Sequence, residues 1–134
     1  MVEPIRITHL ITGLQMGGAE MMLYKLIRGT QGKDFQHHVL SLTSDGPVGE
    51  MISNLGVPVE AIGMEKKIIG MFRLLEARYK IRQFESGLLQ TWLYHADFMG
   101  SLFSRIPVIW NVQNGSLDPE QSPWTTRIVQ RLCI

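Results

Sequence analysis

The chain has 134 residues, of which 45% are apolar and 19% are charged, with a formal net charge of +1. This length suits one globular domain, and the near-neutral charge gives no global attraction to nucleic acid. The single cysteine, Cys133, excludes an internal disulfide bond and a cysteine-rich zinc site.

Apolar runs of strand length alternate with amphipathic helical patterns along the chain. A helix is predicted from Gly18, and Gly29 is placed to end it. Its apolar stripe comprises Ala19, Met22, Leu23, Leu26 and Ile27. A shorter helix is predicted from Asp45, with Gly56 at the position of a C′ glycine. Another helix is predicted over 71–85, with Gly87 at its end. The predicted strands are 5–12, 38–43, 57–62, 88–93 and 107–112, and the later predictions are a helix over 96–104, a loop over 114–123 and a helix from 124.

Strands separated by helices are typical of βαβ units, which build parallel sheets with right-handed crossovers. We therefore predict one Rossmann-like α/β domain over 1–134, an open parallel sheet of order 3-2-1-4-5 with helices on both faces. Its topological switch point falls between strands one and four, and ligands bind outside the carboxyl ends of the strands there. The predicted site is built from the loops 13–20, 92–97 and 113–116.

The first of these loops reads Thr12-Gly-Leu-Gln-Met-Gly-Gly-Ala-Glu20. Adjacent glycines that open a helix leave backbone N–H groups uncovered at the positive end of the helix dipole, which suits a phosphate. The pattern is neither the dinucleotide fingerprint nor a P-loop. A tight turn without a ligand is the alternative, and Glu20 then only adds favourable charge to the first helical turn.

A second motif reads Gln90-Thr-Trp-Leu-Tyr-His-Ala-Asp-Phe-Met-Gly100, followed by Pro107-Val-Ile-Trp-Asn-Val-Gln-Asn-Gly115. With the glycine loop, these segments resemble the N-terminal domain of family 4 glycosyltransferases of the GT-B fold. The resemblance implies transfer of a sugar, with retention at the anomeric carbon, from a nucleotide diphosphate sugar to a glycan or lipid-linked acceptor.

The resemblance also implies roles for individual residues. Gly17 and Gly18 would approach the diphosphate of the donor. His95 matches a cleft histidine of the family and is the candidate catalytic residue, because a near-neutral imidazole can bond sugar hydroxyls or the reacting centre. A structural hydrogen bond or a helix cap is its alternative role. Relatives carry a charged residue after strand five where this chain has Gln113, which puts acid–base chemistry there in doubt. The candidates to line the cleft are Glu20, Trp92, Tyr94, Asp97, Gln113 and Asn114, with helix capping as the favoured role of Asp97.

In the same family the C-terminal domain supplies a Glu-x7-Glu motif and the basic residues that hold the donor. This chain has no such pair, since Glu76 and Glu85 are nine positions apart. We therefore expect 1–134 to be a truncated acceptor-side domain without its donor domain. We expect it to be inactive alone, because it lacks the opposing wall that excludes water and stabilises the departing diphosphate.

The expected partners are the nucleotide-sugar donor, a glycan or lipid-linked acceptor and the missing C-terminal domain. No cofactor or metal is expected, since His37-His38 lacks nearby ligands. No signal peptide or membrane span is evident, which favours a cytoplasmic protein. A basic and apolar cluster comprises Lys66, Lys67, Arg73, Arg78, Lys80 and Arg82 around Ile68, Ile69, Met71 and Phe72. Either a solvated helix face or a peripheral contact with the inner face of the membrane would explain this cluster.

The rival interpretation is a non-catalytic Rossmann-like module that binds a nucleotide or has a regulatory role. A receiver domain is disfavoured because no paired acidic residues follow the first strand. A dehydrogenase is disfavoured because the glycine fingerprint is wrong and no acidic residue clearly ends the second strand.

Overall fold

The computed structural model describes residues 2–32, 34–63, 70–92 and 105–111. None of the helices in these ranges is long and apolar enough to cross a membrane. The predicted segments 96–104 and 114–134 lie outside the described residues, as do the Lys66, Lys67, Ile68 and Ile69 of the basic and apolar cluster. In chain order the elements are β1 (Ile5–Ile11), α1 (Gly18–Thr30), β2 (Phe35–Ser41), α2 (Gly46–Ser53), β3 (Val59–Ala61), α3 (Gly70–Gln83), β4 (Leu88–Trp92) and β5 (Val108–Asn111).

All five strands form one parallel sheet in the order β3-β2-β1-β4-β5, which confirms the predicted fold class and strand order. Strand β1 is central, and its last residue, Ile11, pairs with Ser41 of β2 and with Trp92 of β4. The carboxyl ends of β1 and β4 therefore lie side by side at the predicted switch point.

Successive residues of the central strands are buried on opposite faces of the sheet. Ile11 packs with Leu23 of α1 and Ile52 of α2, whereas Leu10 packs in a second cluster that contains Ala77 of α3. Helices therefore cover both faces, and this double burial explains why the strands read as continuous apolar runs.

Helix α1 differs from its prediction at its end and on one face. It continues through Gly29 to Thr30, whose hydroxyl donates a 2.6 Å hydrogen bond to the Leu26 carbonyl. Met22 was expected in the apolar stripe but is 50% exposed, because the buried residues of this helix are Ala19, Leu23 and Ile27.

The end of α3 was also predicted at the wrong residue. The chain leaves the helix through Glu85, whose φ of 54° is left-handed, rather than through Gly87. The Gly87 amide instead donates a 2.9 Å hydrogen bond to the Arg6 carbonyl, which starts the pairing of β1 with β4. An Arg6–Glu85 ion pair of 3.0 Å holds the same junction.

Strands β2 and β3 differ most from their predicted bounds. Strand β2 starts at Phe35, three residues before the predicted 38, so the pair at 37 and 38 lies within the strand. Strand β3 is only Val59–Ala61, shorter than the predicted 57–62. Pro58 has no N–H to donate to the ladder, although its carbonyl accepts from the Val39 amide at 2.9 Å.

Candidate functional site

The glycine-rich loop after β1 is fixed to the body of the domain through Leu14. This side chain is fully buried, and the Leu14 carbonyl accepts a 3.0 Å hydrogen bond from the Val48 amide of α2. Gly46 has a φ of +48° and approaches the same carbonyl so closely that a Cβ would lie 2.7 Å from the Leu14 carbonyl carbon. The loop therefore has a defined position at the carboxyl edge of the sheet.

Thr12 and Thr43 join the carboxyl ends of β1 and β2. The backbone N–H and the hydroxyl of Thr43 both donate to the Thr12 carbonyl, at 3.0 and 2.7 Å. A Cβ on Gly13 would lie 2.8 Å from the Thr43 hydroxyl oxygen, so the glycine leaves room for this contact.

The Thr12 hydroxyl oxygen is buried and lacks a hydrogen-bond partner in the part of the chain that the structure describes. Leaving such a group unpaired costs about 1–3 kcal/mol, so its position at the end of the central strand marks it as a ligand-facing candidate. The sequence patterns did not predict a role for Thr12, although a hydroxyl residue directly after the central strand is a pattern that could have indicated a ligand contact.

The double glycine lies at the start of α1, where it was predicted. Gly17 is the N-cap residue, with an extended backbone and no side-chain cap, and its carbonyl accepts from the Met21 amide at 3.0 Å. The first N–H groups of a helix have no intrahelical acceptor, so they are the donors available here. A Cβ on Gly18 would meet no atom within 4 Å, whereas one on Gly17 would collide with the Glu20 carboxylate. The Glu20 side chain thus folds back over the helix start, in keeping with the role of favourable charge in the first turn.

Trp92 lies at the end of β4 beside β1, but its side chain faces the core. The side chain is 1% exposed and packs in the cluster with Ile11 and Leu23. The structure therefore places Trp92 in the core rather than on a cleft wall. The other candidates on this side lie outside the described residues, and their roles stay predictions: Tyr94, His95, Asp97, Gln113 and Asn114.

A chain of hydrogen bonds starts at Trp92 and crosses the face of the sheet under α1. The indole Nε1 donates to His9 Nδ1 at 3.2 Å, and His9 Nε2 lies 2.9 Å from His37 Nδ1. His37 Nε2 then lies 2.9 Å from the hydroxyl of Thr30, which donates to the Leu26 carbonyl. The indole can only donate, so His9 Nδ1 must accept. It follows that His9 and His37 are both neutral, each with its proton on Nε2, and that every bond runs in the same direction.

The electrostatics agree with neutral imidazoles. Burial, with smaller contributions from the charges that His37 and His38 would carry, lowers the pKa of His9 from 6.5 to about 3. Burial also lowers the pKa of His37. A proton on Nδ1 of His9 would face the indole N–H, so protonation would break the chain at its first bond.

His38 belongs to a separate network on the opposite face of the sheet. Its Nε2 lies 2.9 Å from Glu60, which also accepts from Lys80 at 2.9 Å, and its Nδ1 lies 3.3 Å from the Thr8 hydroxyl. Burial lowers the pKa of His38, against the opposing effect of Glu60. Because His37 and His38 point to opposite faces, they cannot bind one metal ion together. No group of three potential metal ligands occurs in the ranges that the structure covers.

These elements define a Rossmann-like α/β domain with an open helix start at the carboxyl end of its central strand. No family model and no curated protein matches the chain. Two similar solved structures are crystal structures of Anabaena Alr3699/HepE. Its complex with UDP has a TM-score of 0.73 and 19% identity, covering 93% of this chain and 34% of that one. Its complex with UDP and glucose also has a TM-score of 0.73 and 19% identity, covering 96% and 35%. The chain thus spans about a third of the length of that protein, and at this identity the likeness shows the fold.

Proposed function

We propose that the chain is the N-terminal, acceptor-side domain of a GT-B glycosyltransferase that uses a nucleotide diphosphate sugar. In this proposal Gly17 and Gly18 bind the diphosphate through their backbone N–H groups, and His95 is the catalytic residue. The sugar is transferred with retention to a glycan or lipid-linked acceptor, in a cleft closed by a C-terminal domain.

One observation carries the proposal: the start of α1 is open at Gly18, at the carboxyl end of the central strand. Gly17 supplies no side-chain cap, so the helix start presents N–H donors and a positive partial charge, which together favour a phosphate once the Glu20 carboxylate turns away from Gly17. The buried Thr12 hydroxyl at the same edge, which has no hydrogen-bond partner among the described residues, adds a polar group that a ligand can satisfy. The likeness in fold to a protein crystallised with UDP supports a uridine nucleotide as the first probe.

A direct test is a titration of the 134-residue chain with UDP, observed by ¹H–¹⁵N NMR. We expect the Gly17 and Gly18 amides to shift, whereas the Gly29 amide at the far end of the same helix stays in place. The variant Gly18→Asp should weaken UDP binding at least tenfold, because its carboxylate repels the diphosphate. It should still fold, since a side chain has space there and an acidic residue is favourable in the first helical turn.

Gly29→Asp is the matched control, since a side chain at Gly29 also meets no atom within 4 Å. It should bind UDP like the unmodified chain. Equal affinity of the Gly18→Asp and Gly29→Asp variants, or glycine amides that do not respond to UDP, GDP or ADP, would contradict the phosphate role. The same preparation should transfer no sugar, and measurable transfer by the pure chain would refute the need for a second domain.

A further inference from the structure

A pocket lies at the end of the sheet away from the glycine loop, near the amino ends of β4 and β5. It has a volume of about 210 Å³, and its lining includes three arginines, Arg78 and Arg82 from α3 and Arg105 from the segment before β5. Ile81 and Ile106 supply its apolar wall. A seven-residue strand is roughly 20 Å long, so this pocket is well separated from the glycine loop at the carboxyl edge.

The three arginines of this pocket have no ion-pair partner among the described residues. The ion pairs found in the described ranges join Arg6 to Glu85, Lys80 and His38 to Glu60, and Arg73 to Glu76. None of them includes an arginine of the pocket. Glu85 also lines the pocket, but its carboxylate is held by Arg6 at 3.0 Å.

The spacing of the arginines adds to their mutual repulsion. Arg78 and Arg82 are four residues apart on one helix face, where like charges destabilise a helix. Arg105 brings a further positive charge from a different element. A bound anion would relieve this repulsion, and guanidinium groups match the geometry of phosphate oxygens through paired hydrogen bonds.

We propose that Arg78, Arg82 and Arg105 form a binding site for a phosphate group attached to a small apolar body. The pocket is smaller than the roughly 300–1,000 Å³ of sites that enclose a whole drug-sized ligand, so it suits the phosphate end of a molecule. The apolar part packs on Ile81 and Ile106. This site is independent of the glycosyltransferase proposal, since it shares no residue with the glycine loop.

The test uses phenyl phosphate as the probe and phenol as the control that lacks the anion, with the 134-residue chain in a calorimetric titration. Phenyl phosphate should bind the unmodified chain, and the double variant Arg82→Gln/Arg105→Gln should bind it at least tenfold more weakly. Both side chains are exposed, so the variant should keep its fold, which its melting temperature checks. Arg28→Gln is the matched control, an exposed arginine on α1 that should leave binding unchanged.

A second arm distinguishes a soluble phosphorylated compound from a lipid headgroup. Vesicles of phosphatidylcholine with and without phosphatidic acid are sedimented with the same variants. Sedimentation that needs both phosphatidic acid and the two arginines assigns the site to a headgroup, and phenyl phosphate binding without sedimentation assigns it to a soluble ligand. The proposal is overturned if neither arm depends on Arg82 and Arg105, or if Arg28→Gln weakens binding equally. The shift of the Gly17 and Gly18 amides with UDP should be unchanged in the double variant, so each proposal can fail alone.

Discussion

The neutral imidazole of His9 makes the stability of this domain dependent on pH. Burial lowers its pKa from 6.5 to about 3 in the folded chain, whereas the unfolded chain keeps the ordinary value. Between these two values the unfolded state binds a proton at His9 that the folded state does not bind. Stability is therefore complete well above pH 6.5 and falls as the pH is lowered through 6.5 toward 3.

The magnitude follows from the width of that interval. A difference of one pKa unit corresponds to about 1.4 kcal/mol, so at pH 4.5, two units below the unfolded pKa, His9 alone has removed about 2.7 kcal/mol of the stability present well above pH 6.5. The buried His37 and His38, whose pKa values are also lowered, act in the same direction. Against the roughly 5–15 kcal/mol of total stability that is common for domains, this loss is large.

The assay is urea unfolding followed by far-ultraviolet circular dichroism at several pH values from 7.5 to 4, for the unmodified chain and for His9→Gln. The glutamine amide cannot be protonated in this range but can still accept from Trp92 and donate to His37. The free energy of unfolding of His9→Gln should be lower than that of the unmodified chain at pH 7.5. Between pH 6 and 4 it should fall less steeply, and the two slopes should differ by about 1.4 kcal/mol per pH unit.

Carboxylates titrate equally in both proteins, so the difference in slope isolates His9. An NMR titration of the His9 ring in the unmodified chain gives the same information if the variant does not fold. Parallel stability curves for the two proteins, or a His9 ring that titrates near 6.5 in the folded chain, would refute the reasoning.

Three further substitutions test this network, the glycine loop and helix α1. Trp92→Phe removes the indole donor to His9 Nδ1, so NMR titration should show a higher His9 pKa, and urea unfolding should show a loss of about 1–3 kcal/mol. An unchanged pKa would mean that the indole does not fix the tautomer. Gly13→Ala brings a Cβ to within 2.8 Å of the Thr43 hydroxyl and should destabilise the fold by about 1–3 kcal/mol. Gly29→Ala, at an open helical position, should stabilise the fold by about 0.5–1 kcal/mol. A higher urea midpoint for Gly13→Ala than for Gly29→Ala would disprove this account of the glycines.

The order of elements and the location of the glycine loop were predictable because they depend on local patterns. Continuous apolar runs define strands that are buried on both faces, and helices between them dictate parallel pairing with one dominant handedness. The double glycine at 17 and 18 also marks the start of α1 by a local pattern, because it lies between a strand-like run and a helical one. Gly17 is the N-cap residue and has no side chain to cap the helix.

The ends of elements were less predictable, because individual side-chain contacts decide them. Gly29 is compatible with either a helix interior or a helix end. The helix continues past Gly29 to Thr30, whose hydroxyl donates to the Leu26 carbonyl. Glu85 takes the left-handed turn that a glycine would favour, and its ion pair with Arg6 of β1, 79 residues away, holds that junction.

The sequence alone determined an open parallel α/β sheet, with a helix start suited to an anion at the end of its central strand. Only the tertiary structure decided that Trp92, His9 and His37 form one buried chain of hydrogen bonds. It alone also showed that the Thr12 hydroxyl is buried without a described partner and that three arginines line one pocket. The physical reason is that strand and helix periodicity act over a few residues, whereas burial and pairing of polar groups depend on which segments the sheet brings together.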